Sequence, residues 1–288
     1  FLYDNRDNRI RPTRGQSFGI SQDFAGLGGS VKYINTRVNA DKYWRLFGTN
    51  FILGLSAEGG YIHPLENRGS KALGIDDVRL TDRFYLGEPQ MRGFDIRGIG
   101  PRVQRITFNP ELQSGVVVNV PVLDRNRIQD DAIGGRFYYL GRAEVQIPLG
   151  SGAKELGLRP SVFMDVGSVF GVTKPLLQTV PQREILADGT SGAPLFYTGS
   201  FTLDSAGNPT TTLATSTTAT NTDGSARTPA LQFEERFLGD TWKPRLSVGF
   251  GVNWNSPFGP FRIDIARALL KETGDDTKLF TFNVGTQF

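Results

Sequence analysis

The chain has 288 residues, with 35 Gly, 21 Phe, no Cys and a formal net charge of +3. The absence of cysteine excludes disulfides, thiolate zinc sites and Cys nucleophiles, and the scattered basic residues form no nucleic-acid footprint. Hydrophobic content is 38%, and no apolar run approaches the ~18 residues of a spanning helix, so a bundle of membrane helices is excluded as well.

Alternation of apolar and polar residues recurs along the chain and predicts nine strands. They fall at about 1–6, 16–25, 30–45, 50–62, 136–148, 159–171, 244–256, 260–268 and 278–288. In 50–62, Phe51, Leu53, Leu55, Ala57 and Tyr61 oppose Ser56, Glu58 and Gly60. In 136–148, Phe137, Tyr139, Ala143, Val145 and Ile147 oppose Tyr138, Arg142, Glu144 and Gln146. In 159–171, Val162, Met164 and Val166 alternate with Phe163, Asp165 and Gly167. Leu246, Val248, Phe250, Val252 and Trp254 share one face of 244–256, opposite Arg245, Ser247 and Asn253. Phe261, Ile263 and Ile265 then alternate with Arg262, Asp264 and Ala266, and Phe280, Phe282, Val284 and Phe288 fall together at the end.

Several of these strands exceed the usual ~5–6 residues of a soluble strand and match the ~9–11 residues of a tilted membrane-spanning one. The connections near 46–49, 149–158 and 257–259 are short, whereas 63–135 and 172–243 are very long. In an antiparallel arrangement both long segments emerge on one side, the pattern of an outer-membrane barrel. The polar face, with Arg142, Glu144, Asp165, Arg262 and Asp264, suits a water-filled or loop-plugged lumen, and the apolar face suits lipid. A soluble antiparallel sheet would alternate in the same way, but strand length and one-sided loops favour an all-β, antiparallel transmembrane β-barrel. Nine strands do not make the even number of a closed single-chain bacterial barrel. An edge left unpaired in lipid would strand its N–H and C=O groups. The chain also opens at Phe1 with no signal-like segment, so it reads as one part of a longer, processed protein. Residues 172–243 include "TTTLATSTTATNTDGSART", low in apolar residues, which predicts a mobile, solvated extracellular insertion.

The stretch "MRGFDIRGIGPR", Met91 to Arg102, lies inside the long 63–135 segment. Asp165 points into the lumen by alternation, and a lone carboxylate there needs solvation or a partner. Glu144 faces the same way on the preceding strand. If 63–135 folds back into the lumen, Arg92 reaches one or both carboxylates with its planar fork of donors. Gly93 permits a tight turn, Phe94 can pack on Phe163 or Tyr138, and Gly167 leaves room for the loop to approach the wall.

These motifs resemble the BamA superfamily of outer-membrane assembly factors, also called the bacterial surface antigen family. "MRGF" followed by "GIGP", which holds Gly98, Gly100 and Pro101, looks like its signature loop, whose motif reads Val/Ile-Arg-Gly-Phe/Tyr; Met91 departs from it conservatively. "FMDVG" resembles the wall motif Phe-x-Asp-x-Gly, with Phe163, Asp165 and Gly167 in place, and Glu144 matches an acidic position on the neighbouring strand. "YDNRDNRIRPTRGQSF" and "SPFGPFRIDIA" resemble two further family segments, and Phe288 resembles the aromatic end of an assembly signal. The resemblance covers nearly all of the chain outside 172–243. It implies roughly the last nine strands of a sixteen-stranded barrel, without the family's periplasmic domains.

The resemblance further implies a bacterial outer-membrane location and a catalyst of folding rather than of bond chemistry. Unfolded barrel clients, outer-membrane lipids and accessory assembly lipoproteins would be the partners, with no cofactor and no metal. Phe280, Phe282 and Phe288 would sit on one lip of a lateral gate that templates client strands. Sister members export a soluble protein through the lumen, and an unrelated porin would instead conduct ions without depending on Arg92. An enzyme is the poorest reading. His63 is the single histidine and has no positioned Ser or Asp partner, and "GLGGS" and "GFGVNW" lack the context for phosphate binding. Glu144 and Asp165 could pass for an acid–base pair, but Arg92 would hold both ionised.

Overall fold

A computed structural model describes residues 1–26, 28–29, 31–46, 50–69, 71–149, 157–256 and 259–284. The chain forms two compact units. The first comprises Phe1–Arg102, Ala132–Pro175 and Leu238–Phe288, and the second Val103–Asp131 and Leu176–Phe237.

The first unit is built on a nine-stranded antiparallel sheet in which each strand lies beside its sequence neighbour. The strands are β1 (Leu2–Asp4), β2 (Gly15–Ala25), β3 (Tyr33–Arg45), β4 (Ile52–Pro64), β5 (Phe137–Gln146), β6 (Leu158–Phe170), β7 (Arg245–Ser256), β8 (Gly259–Leu270) and β9 (Phe280–Val284). The register runs unbroken across the centre, with Asp165 opposite Arg142 on β5 and Ser247 on β7. A 13-residue strand such as β6 is about 44 Å long at ~3.4 Å per residue. Tilted by ~45°, it crosses about 31 Å, the thickness of a bilayer's hydrocarbon core.

The two faces of this wall are chemically opposite. Val162 and Met164 are 46% and 45% exposed, whereas Ser161 and Asp165 between and beside them are buried. Phe250, Ile263, Phe280 and Phe282 are likewise exposed on the outer face. No helix among the described residues is long and apolar enough to cross a membrane.

β1 is shorter than the alternation predicts, and local polar chemistry explains why. Asp4 is taken up by the Arg6 guanidinium at 2.9 and 3.0 Å. Asp7 accepts the backbone N–H groups of Thr13 and Arg14. These bonds close the Asp4–Arg14 turn in place of a longer ladder.

The core of this unit lies between the wall and the segment that follows β4. Val78, Phe84, Leu86, Met91, Phe94 and Ile99 bury themselves against Ile62 of β4, Leu140 of β5 and Val169 of β6. Residues 71–101 therefore cover the inner, polar side of the sheet and bring their own apolar side chains to it.

The second unit differs from the composition-based expectation. The Ser/Thr-rich stretch reads as mobile and solvated, yet the structure gives it strands. Phe196–Leu203 and Pro209–Ser216 pair as an antiparallel hairpin. A four-stranded sheet runs in the order Thr179–Pro181, Leu231–Leu238, Arg102–Ile106, Gln129–Ala132. Val117, Tyr197, Leu213 and Ala230 form a small core of their own. Threonine is β-branched and suits a pleated strand whatever its polarity. A few well-spaced apolar residues then suffice to fix the hairpin.

Candidate functional site

At the centre of the inner face, Arg92 reaches Asp165 through three hydrogen bonds. Its backbone N–H and Nε donate to Oδ2 at 3.1 and 2.8 Å, and Nη2 donates to Oδ1 at 2.6 Å. Nη1 donates to Glu144 Oε2 at 2.9 Å. Arg92 is 3% exposed and Asp165 0%. The guanidinium also lies over the Phe163 ring, 3.3 Å from its centroid. The planar fork is thus used on two carboxylates and an aromatic face together, which a lysine ammonium cannot do.

The pair sits within a larger network. Arg142 on β5 donates to Asp165 Oδ1 at 3.2 Å and to the Gln90 carbonyl at 2.6 Å. Arg262 on β8 donates to Asp264 Oδ2 at 2.8 Å and reaches Glu144 Oε1 at 3.4 Å. Asp264 Oδ1 lies 3.9 Å from Arg92 Nη1. Three arginines (92, 142, 262) meet three carboxylates (144, 165, 264), so the charges cancel, as buried ionic groups require.

The neighbouring loop residues are placed by packing and by backbone geometry. Met91 and Phe94 are both fully buried. Phe94 joins the core cluster against which Tyr138 packs, while the Phe163 ring is taken by Arg92 rather than by Phe94. Gly93 turns at φ +84°, and a Cβ there would stand 3.0 Å from Ser247 Cβ and 3.3 Å from Ala266 Cβ. Gly93→Ala therefore meets strain and crowding together. It is expected to cost about 1–2 kcal/mol from the left-handed backbone alone, read as a lower melting temperature of the folded barrel.

Pro101 is fully buried, and its carbonyl accepts the Ile133 N–H at 2.9 Å. At Gly167 a Cβ would stand 3.1 Å from Leu86 Cδ2 of the loop, so the wall is open where the loop approaches. Gly100 passes close to Val169 on the same strand.

The loop is also joined to the segment that enters β9. Phe94 and Thr277 form an isolated antiparallel bridge. The Asp95 N–H donates to the Asp276 carbonyl at 3.0 Å, the Asp276 N–H to the Gly98 carbonyl at 2.8 Å and the Lys278 N–H to the Gly93 carbonyl at 3.2 Å. Lys278 Nζ donates to Glu88 Oε2 at 2.7 Å, a bond that raises the Lys278 pKa above its ordinary value. Phe280 and Phe282 project outward, each 52% exposed, and Phe288 lies outside the described residues. β1 and β9 each have one neighbour among the described strands.

Sequence reasoning did not place Arg142, Arg262 and Asp264 in the Arg92 network, although alternation had put all of them on the inner face. It also missed Arg245, at the first position of β7 and fully buried. Arg245 Nε donates to Asp275 Oδ2 at 2.9 Å, and the guanidinium is further bonded to Ser168 Oγ and to the carbonyls of Gly239, Thr241 and Lys243. The available signal was an inward arginine on a spanning strand, which must have a partner.

A wall with greasy outer and charged inner faces, carrying a loop bound to its inner side by an arginine, defines a transmembrane β-barrel of the outer-membrane type. Residues 1–288 match the Omp85 superfamily domain, and the chain belongs to that superfamily. It is 28% identical over 282 residues to "Outer membrane protein assembly factor BamA" of Neorickettsia risticii, covering 98% of this chain and 26% of that protein. It is 24% identical over 293 residues to the protein of the same name in Neisseria meningitidis, covering 98% of this chain and 27% of that one. The mouse sorting and assembly machinery component 50 homolog is 26% identical over 174 residues, covering 58% of this chain and 30% of that protein. The chain thus spans about a quarter of the length of the bacterial relatives it matches. The crystal structure of BamA from Haemophilus ducreyi lacking POTRA domains 1–3 shares the fold, with a TM-score of 0.58 at 20% identity over 98% of this chain and 40% of that one.

Proposed function

We propose that the whole protein is a β-barrel assembly factor of the bacterial outer membrane, and that this chain supplies part of its barrel and the loop that braces it. The observation that carries this reading is the match over 98% of the chain to two bacterial proteins named as assembly factors. The physical task is strand pairing, with no bond made or broken. A client's unpaired N–H and C=O groups cannot be satisfied by lipid, and an edge strand offers them a template by strand addition. β9 is the strand assigned to that lip, with Phe280 and Phe282 as its lipid-side anchors. Arg92, Asp165 and Glu144 hold the loop against the inner wall. The bridge between Phe94 and Thr277 links the loop to the entry of β9. Accessory lipoproteins and the lipid itself are the further partners in this reading.

The test places the full-length protein in liposomes and adds a urea-unfolded small barrel. Faster appearance of the folded, slow-to-denature client band than in empty liposomes is the expected result, and it should be diminished by Arg92→Ala. No acceleration, together with passage of a soluble protein across the same liposomes, would replace assembly by export.

A further inference from the structure

Charges on the inner face are paired in the middle of the wall and left open at one end. Alternation along β6 puts Arg159 on the same face as Ser161, Phe163 and Asp165. It lies at the end where β3 leads to β4, β5 to β6 and β7 to β8 through the shorter connections. Arg159 lines a cavity of about 460 Å³ together with Arg11 and Arg45. A second cavity of about 310 Å³ shares Arg11, Gln146 and Arg159 and adds Arg6 and Arg9. Among the described residues, neither lining contains a carboxylate.

The nearby acids among the described residues are already committed. Asp4 binds Arg6 at 2.9 Å and Arg9 at 3.5 Å, and Asp7 is spent on Thr13 and Arg14. Among the described residues, the Arg45 guanidinium bonds the Thr13 hydroxyl, at 2.9 Å. The Arg11 and Arg159 guanidinium groups make no hydrogen bond or ion pair among the described residues. This contrasts with Arg92, Arg142, Arg245 and Arg262, which are all paired with carboxylates.

We propose that the turn-side mouth of the barrel is a docking cradle for an extended acidic peptide segment, held chiefly by Arg11 and Arg159. The inference rests on the barrel architecture and not on the assembly reading. Guanidinium forks without acids are matched to carboxylates and draw them by long-range attraction. A lipid headgroup is disfavoured because Arg159 lies on the inner face of the wall, opposite the face that meets lipid, and Arg11 lines the same two cavities. A small inorganic anion would fill little of two adjoining cavities that share their arginines, whereas an extended chain with successive carboxylates spans both. Ile52, Pro148 and Leu158 in the first cavity give its aliphatic portions a surface to cover.

The test uses the full-length protein in nanodiscs of zwitterionic lipid and a dye-labelled octaglutamate peptide, followed by fluorescence anisotropy at low salt. Binding that weakens as salt rises, and by about tenfold or more in R11Q/R159Q, is expected. R267Q, on the exposed outer face of β8, should bind as the unaltered protein does. Inorganic phosphate should compete poorly. Heat-dependent gel mobility reports whether each variant is folded. If the double variant is not, R11Q alone carries the test, because Arg11 is exposed and makes no side-chain bond. Unchanged affinity in these variants, equal binding of an octalysine peptide, or displacement by phosphate at concentrations as low as those of the peptide would overturn the proposal.

Discussion

Arg92→Ala is expected to destabilise the folded barrel by about 3–5 kcal/mol, the range for breaking one side of a buried ion pair. The reason is the charge left behind. Removing the guanidinium leaves Glu144, Asp165 and Asp264 facing only Arg142 and Arg262, a net buried negative charge. Asp165→Ala leaves the opposite imbalance and strips three acceptor contacts from Arg92. The double variant restores neutrality, so its cost should fall short of the sum of the two single costs by about 0.5–3 kcal/mol. Arg92→Lys should rescue little. An ammonium cannot form the fork to Asp165, and it loses the planar stacking over Phe163, a contact worth about 2 kcal/mol when desolvated. The measurement is the temperature at which the compact gel band converts to the unfolded one, for all four members of the cycle. Strict additivity would show that the contact carries no energy, and the bracing role assigned to the loop would fall with it.

The wall was legible because its two solvents are so different. One strand face meets lipid and the other a polar interior, so apolar and polar residues alternate along most of β4 to β8 and their predicted bounds lie within a few residues of those observed. Alternation also put Glu144, Asp165, Arg245, Arg262 and Asp264 on one face. It could not say which of them meet, because partners come from distant segments. Asp275 lies 30 residues from Arg245, in a connection with no period at all. The contact of Arg92 with Phe163 was equally hidden, since either Arg92 or Phe94 could have claimed that ring. Phe94 went instead to the apolar cluster around Leu140 and Val169, where a fully apolar side chain gains most from burial. In the second unit, composition misled. Hairpins such as Phe196–Leu203 with Pro209–Ser216 rest on backbone pairing, cross-strand threonines and a few buried residues, too few to register as a hydrophobic pattern.

The second large effect is expected at Arg245. Its side chain is fully buried and bonds to one carboxylate, one hydroxyl and three carbonyls, so Arg245→Ala leaves Asp275 uncompensated and strands several acceptors. A loss of about 3–5 kcal/mol is expected on that ground alone. The more telling consequence is local. Asp275 also accepts the Glu272 N–H at 2.7 Å, and the next residues, Asp276 to Lys278, make the backbone bonds to Gly93, Asp95 and Gly98. Releasing Asp275 should therefore loosen the join between the loop and the entry to β9 while leaving the bonds between Arg92 and Asp165 in place. Hydrogen exchange separates the two outcomes. The amides of Asp95, Asp276 and Lys278 should lose protection in Arg245→Ala, and the amide of Arg92, bonded to Asp165, should keep most of its own. A paired replacement, Arg245→Met with Asp275→Leu, should recover much of the global stability, because a packed apolar pair can substitute for a buried ionic one. It should not restore the amide protection at Asp276, because the carboxylate that accepts the Glu272 N–H and fixes this turn would still be absent. Protection at Asp95, Asp276 and Lys278 that matches the unaltered protein in Arg245→Ala would mean that the join to β9 is held by the bridge between Phe94 and Thr277 alone.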